Sequence, residues 1–369
     1  MLIIGSRESI KSYRESPAIN QSTLKDLQYG LVNFLKKQAE EGPVASFEVG
    51  SAVDCILTAP EGSFSEEYYI SSLEKKPTEV EMDIISIVFE MALEQGNPLE
   101  NFVDYRQYIE KAILEVGWQP NWKIETRVDK ISNSTICQEY FEDLKNSVGK
   151  TVLSVRQYEN IAKVVDSLKE NERTKNYFDR KIIEESQEIL FLYQVPIYFK
   201  FGGQDCKALP DIVTMKLEDG KITEILISDL KTTSKSTTEF FDSVIKYRYD
   251  IQASWYLTAI SNIGAEYCTY PLSEAVSILP FQFIVESTTT PGNPLIYETD
   301  GSLIKQGRFG TEDIFTNSSN EEKYLIKKGK KGFETLLKEL VYYQETQFQE
   351  DIIQKDKNGI LKIDVNGII

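Results

Sequence analysis

Asp211, Asp229 and Lys231 are the residues whose types and spacing point most directly to chemistry. They stand in Leu209-Pro210-Asp211-Ile212-Val213 and Ile227-Ser228-Asp229-Leu230-Lys231-Thr232-Thr233. Asp229 and Lys231 are two apart, so on a strand they share one face while Leu230 points to the other. Asp211 falls on what reads as the neighbouring strand, where opposed side chains approach closely. Two carboxylates that close repel unless a cation neutralises them. A hard divalent ion that takes oxygen ligands and keeps some waters does this most simply. With an amine beside it, such an ion is equipped to hold a phosphodiester and activate a water. An isolated Asp-x-Lys on a strand is more often a solvated surface pair, so the surrounding segments must decide.

Those segments read as elements able to position the three groups. Residues 190–201, 206–217 and 222–229 are rich in β-branched and aromatic residues and are separated by the hairpin signals Gly202-Gly203 and Glu218-Asp219-Gly220. Three strands in series are predicted. Residues 240–262 carry apolar side chains at mostly helical spacing, which predicts one helix. On it Gln252 and Tyr256 are four apart, so both could reach one ligand. Taken alone, the pair reads better as an exposed amide and a core aromatic.

The run from Leu209 to Tyr256, with Pro210-Asp211, Asp229-Leu230-Lys231-Thr232-Thr233 and Tyr247-Arg248-Tyr249-Asp250-Ile251-Gln252-Ala253-Ser254-Trp255-Tyr256, resembles the PD-(D/E)XK nuclease superfamily. The resemblance is closest to its exodeoxyribonuclease VIII (RecE-type) branch and more distant to RecB-type nuclease domains. Ile19-Asn20-Gln21-Ser22-Thr23-Leu24-Lys25-Asp26-Leu27 and Gly50-Ser51-Ala52-Val53-Asp54 resemble the opening helices of that branch. The match covers most of residues 13 to 260. It implies an α+β fold with a restriction-endonuclease-like core, a central mixed sheet flanked by helices, and a mainly helical N-terminal part. It also implies a Mg²⁺-dependent deoxyribonuclease, with Mn²⁺ as a possible substitute. The activity implied is 5′-to-3′ exonuclease action on linear double-stranded DNA, making single strands for an annealing recombinase in phage-type recombination, by a chain that forms homo-oligomers.

The resemblance also implies residue roles. Asp211, Asp229 and the Leu230 carbonyl would ligate the ion, joined by Asp54. Lys231 would orient the attacking water or steady the developing negative charge. Gln252 and Tyr256 would position the substrate strand. Two positions depart from the family pattern: Asp54 stands where a metal-binding histidine is usual, and Gln194 where a glutamate is usual. Asp54 retains an oxygen donor for a hard cation, whereas Gln194 removes a charge near the substrate.

Composition narrows the possibilities. The chain has 41 basic and 58 acidic residues, a net charge of −17, so DNA binding must use a local basic track rather than a general attraction. Lys235, Lys246 and Arg248 are its candidates near the site; Lys327, Lys328, Lys330 and Lys331 lie further on and read equally as a solvated loop. Absence of histidine excludes Ser-His-Asp and Cys-His catalysis. Gly329-Lys330-Lys331-Gly332 and Gly307-Arg308-Phe309-Gly310 lack the form of a phosphate-cradling loop. Cys55, Cys137, Cys206 and Cys268 are too scattered for an iron–sulfur cluster and fit free thiols in a reducing cytoplasm. No apolar run reaches membrane-spanning length, so a cytoplasmic protein of a bacterial host cell is expected, with no membrane partner.

Three parts are expected along the chain: residues 1–180, mainly helical and lending Asp54 to the site; 181–346, the nuclease core; and 347–369, a tail or hairpin. Within them Ser22 would cap a helix running to Ala39, and helices are predicted at 80–95, 101–116, 152–170 and 331–347. A strand is predicted at 275–286, and a turn at Asp356-Lys357-Asn358-Gly359. Two other readings stay open: a catalytically silent DNA-binding or assembly protein, and an endonuclease or single-strand nuclease on the same scaffold.

Overall fold

In a computed structural model, the described residues are 2–39, 48–94, 101–262, 271–311 and 330–347, with two short strands at 363–364 and 367–368. The strands in chain order are β1 (Leu2–Ile4), β2 (Tyr68–Ser71), β3 (Thr151–Ser154), β4 (Ile189–Tyr193), β5 (Ile197–Phe201), β6 (Gln204–Ala208), β7 (Ile212–Glu218), β8 (Lys221–Thr233), β9 (Leu272–Ile278), β10 (Gln282–Ser287) and β11 (Leu295–Glu298). The main sheet runs β1-β4-β7-β8-β10-β11, with β9 also paired to β8. It is mixed: β4, β7 and β8 are antiparallel neighbours, while β10 lies parallel to β8. The class is α+β, with a central mixed sheet flanked by helices and a mainly helical N-terminal part.

Each long predicted element is broken, and the breaks build the site. The first predicted strand divides into β4 and β5 at Gln194-Val195-Pro196, and the second into β6 and β7 at Leu209-Pro210-Asp211. Proline has no N–H to give a ladder, so both prolines end pairing there. β5 and β6 then form a separate two-stranded sheet across Gly202-Gly203, while β4 and β7 pair in the main one. The predicted strand at 275–286 likewise divides into β9 and β10 around Pro280.

The helices show the same pattern. Asn20, not Ser22, caps the start of the helix predicted to run to Ala39, its Oδ1 accepting from the Thr23 N–H at 2.9 Å. That helix ends at Leu27, and a second runs from Leu31 to Ala39 after Gly30, whose φ of 92° suits glycine. The predicted 240–262 helix is two, Phe240–Lys246 and Tyr249–Ser261, parted by Arg248 in the left-handed region with φ 53°.

Two packed units result, one of residues 1–60 with 163–369 and one of 61–162. This differs from the expected boundary near residue 180, because apolar side chains choose the partner. Leu24, Leu27, Leu31 and Phe34 join Ile225, Ile227, Trp255 and Phe283 in the core of the sheet unit. Ile84, Val88, Ile109, Ile113, Ile131 and Phe141 close a separate helical core in the other. At the C-terminus, Ile363–Asp364 pairs antiparallel with Gly367–Ile368; the expected turn at 356–359 lies outside the described residues. Among the described residues, no helix is long and apolar enough to cross a membrane.

Candidate active site

The antiparallel register of β7 on β8 pairs Ile212 with Ser228 and Val213 with Ile227. Continued one step, it sets Asp211 opposite Asp229, on the same face of the sheet. The Leu230 N–H donates to Asp211 Oδ2 at 2.8 Å, fixing that carboxylate at the mouth of the strand pair. The Lys231 ammonium is ion-paired with Asp229 Oδ2 and donates to the Leu230 carbonyl at 3.5 Å. Asp229 is 1 % exposed, and its Oδ2 makes no hydrogen bond beyond that ion pair.

Burial and like charge shape the protonation of this cluster. Burial, then the Asp229 and Asp54 carboxylates, raise the Asp211 pKa well above the carboxylate range. Burial acts to lower the pKa of Lys231, but the Asp229 and Asp211 charges outweigh it, so the amine stays protonated above its ordinary value. Lys231 is therefore held as a cation and a hydrogen-bond donor, not a base.

The helix Glu48–Thr58 supplies Asp54. A side chain at Gly50 would place its Cβ 2.7 Å from Thr232 Oγ1, so glycine there permits the close approach of this helix to β8. Thr58 Oγ1 donates to Asp54 Oδ1 at 2.9 Å, and Gln194 Nε2 donates to Asp54 Oδ2 at 2.5 Å and to Thr58 Oγ1 at 2.8 Å. Burial first, opposed by the Thr58 bond and aided by Asp229, pushes the Asp54 pKa up to about 6. The two positions that depart from the nuclease pattern thus touch each other. Gln194 sits at φ 47°, and its N–H donates to the Asp211 carbonyl at 3.1 Å. Its own carbonyl lies where a Cβ on Gly5 would come within 2.0 Å. A non-glycine residue held in that region costs on the order of 1 kcal/mol or more, and such residues cluster at functional sites.

The remaining site candidates separate. Gln252 and Tyr256, both 5 % exposed, face the strands: Gln252 Nε2 donates to Asp229 Oδ1 at 2.8 Å and the Tyr256 hydroxyl donates to the Leu209 carbonyl at 3.0 Å. Gln252 thus holds the Asp229 carboxylate and Tyr256 the backbone that leads to Asp211. Arg248 is not presented to a substrate at all. It is 4 % exposed and holds Asp250 through Nε at 2.9 Å and Nη2 at 3.1 Å, with Nη1 on Gln28 Oε1 and Nη2 on the Lys331 carbonyl. Its left-handed backbone turns the guanidinium inward, which sequence spacing does not reveal. Lys246 is exposed, as is Lys235, which pairs with Asp242 at 3.1 Å. Of the distant lysines, Lys331 pairs with Glu339, while Lys327 and Lys328 lie outside the described residues.

Three residues that the sequence did not single out belong here. Thr58 bridges Asp54 and Gln194. Tyr249 lies with its ring centroid 5.1 Å from Lys231 Nζ and 5.7 Å from Lys25 Nζ. Burial, then the Lys231 charge, lowers the Lys25 pKa to about 8. Only the appearance of Lys25 in the N-terminal motif hinted at it.

These residues fit a hard divalent cation. The side chains of Asp211, Asp229 and Asp54 offer oxygen ligands, Asp229 Oδ2 is committed to nothing but an ammonium, and Asp211 is destabilised by its like-charged neighbours. Among the described residues no three His, Cys, Asp or Glu side chains gather into a ready-made cage. Mg²⁺ does not require one, since it usually keeps several waters and binds through one or two carboxylates. Cys137 and Cys206 are buried and form no disulfide among the described residues, and Cys268 lies outside them.

No protein-family model matches the chain, and no curated protein does. Among solved structures it is similar to the crystal structure of an exonuclease candidate from Eubacterium rectale, with 14 % identity, a TM-score of 0.38, and coverage of 82 % of this chain and 80 % of that one.

Proposed function

We propose that this chain is a Mg²⁺-dependent deoxyribonuclease of PD-(D/E)XK type, acting as a 5′-to-3′ exonuclease on linear double-stranded DNA. The observation that carries this reading is the convergence of Asp211, Asp229 and Lys231 on one sheet face. Asp211, Asp229 and the Leu230 carbonyl would hold the ion, with Asp54 beside them. When bound, a divalent cation neutralises charge building on a scissile phosphate and acidifies a water. Lys231, kept protonated by its carboxylate neighbours, donates toward the oxygen on which negative charge develops. Gln252 fixes the rotamer of Asp229, and Tyr256 fixes the backbone before Pro210-Asp211. Pre-set groups of this kind need no reorganisation as the reaction proceeds.

In this reading the single strand left behind passes to an annealing recombinase of phage type, and the chain works as a homo-oligomer. The test uses end-labelled linear and covalently closed circular DNA with Mg²⁺ or Mn²⁺, beside Lys231→Ala. Loss of label from linear DNA only, abolished in the variant, is expected. Cutting of the closed circle would make it an endonuclease, and no cleavage with either ion would leave a silent DNA-binding protein.

A further inference from the structure

Around the turn between the helices Phe240–Lys246 and Tyr249–Ser261, lysines and tyrosines lie side by side. Lys231 Nζ and Lys25 Nζ lie 5.1 and 5.7 Å from the centroid of the Tyr249 ring. The Tyr249 ring is 5.8 Å from that of Tyr247, at an interplanar angle of 33°. Lys246 Nζ in turn lies 5.0 Å from the Tyr247 ring. Aromatic rings and cations thus continue from the catalytic lysine outward without a gap.

Burial changes along this line in one direction. Tyr249 is half-buried, its far side packed on Phe240 and Phe283 with centroids 5.7 and 5.6 Å away. Tyr247 is 42 % exposed, and Phe241 and Ile245 on the adjoining helix are 64 % and 44 % exposed. Apolar and aromatic surface is thus left open beside Lys246, which is itself exposed. Arg248 holds the geometry: its φ of 53° ends one helix and starts the next, and its buried pairing with Asp250 locks the turn. A strained residue, braced from within, sets the two tyrosines side by side.

Rings that offer a face to a base, interleaved with ammonium groups that offer charge to a phosphate, suit a nucleic-acid strand whose bases are unpaired. A duplex presents no base face except at its ends. We infer that Tyr247, backed by Tyr249 and flanked by Lys246, forms a stacking track for the bases of a single-stranded segment that leads to the Asp211–Asp229–Lys231 centre. This deepens the nuclease reading and rests on it. It adds that the strand being cut is unpaired before it arrives. It also accounts for DNA binding by a chain of net charge −17, since stacking substitutes for a general basic surface.

The test measures, with the full chain and Mg²⁺, the anisotropy of a labelled phosphorothioate oligothymidylate that resists hydrolysis. Binding to covalently closed duplex serves as the comparison. Tyr247→Ala should weaken single-strand binding roughly tenfold, the scale of one lost base stack, and raise KM for linear DNA while kcat stays near the parent value. Tyr247→Trp should restore both, and duplex binding should be the same in all three proteins. Affinity of Tyr247→Ala within twofold of the parent, or an equal loss on closed duplex, overturns the track. If the parent cuts linear DNA while Tyr247→Ala keeps full affinity, only the track falls. If the parent neither binds the oligonucleotide nor cuts DNA, the nuclease reading falls with it.

Discussion

Two buried charge clusters sit at the ends of short links to the same helix, Tyr249–Ser261, and they are finished differently. Arg248 and Asp250 balance each other: both Asp250 oxygens accept from the guanidinium, Gln306 Nε2 adds a bond at 3.2 Å, and two further guanidinium hydrogens go to Gln28 and the Lys331 carbonyl. Around Asp229 the balance is incomplete. The Lys231 ammonium pairs with Asp229 alone, whose Oδ2 makes no hydrogen bond beyond that ion pair, and Asp211 and Asp54 are both pushed toward protonation. A closed cluster holds a turn; an open one has charge to spend on something that arrives. Burial alone would have ranked them alike.

Removing Lys231 should give the sharpest contrast. Lys231→Ala is expected to reduce DNA cleavage a hundredfold or more, on the order seen when one preset donor is lost, while circular dichroism shows a folded chain. Arg248→Ala should act on the other cluster through stability. Leaving Asp250 charged and unpaired costs about 3–5 kcal/mol, measurable by urea unfolding. If Arg248→Ala instead kept full stability and lost only DNA binding, the contrast between the clusters would be void.

The third test reads the sign of a titration. The folded pKa of Asp54 lies near 6, above the ordinary 3.8. The ionised form therefore weakens the folded state, with no penalty below about pH 4 and the full penalty above about pH 6. In chelator, Asp54→Asn should be more stable than the parent at pH 7 and equal to it at pH 4; an advantage that grows toward low pH contradicts this assignment. The smallest effect belongs to Tyr256→Phe. Losing the bond to the Leu209 carbonyl should cost about 1 kcal/mol in thermal unfolding and lower cleavage modestly, without changing the ion requirement.

Much of this was legible in the sequence where a period decides. Alternation by two put Asp229 and Lys231 on one face, and hairpin signals brought Asp211 level with them. Less legible was where elements stop. Pro196, Pro210 and Pro280 each divide a predicted strand, and two of those breaks leave Gln194 and Asp211 at strand ends, where their backbone groups bond each other. Arg248 was legible only as a basic residue near the site, because its left-handed turn is settled by Asp250, Gln28 and Lys331, none of which its spacing names. Lys25 reaches Tyr249 from a helix more than two hundred positions earlier, through packing of Leu24 and Leu27 that no local pattern encodes.

The most direct measurement is anomalous diffraction from crystals of the chain grown with Mn²⁺. The account predicts a peak touching the carboxylates of Asp211 and Asp229 and the Leu230 carbonyl, lost in Asp229→Asn crystals. A peak elsewhere, or none at those oxygens with the ion at saturating concentration, contradicts it.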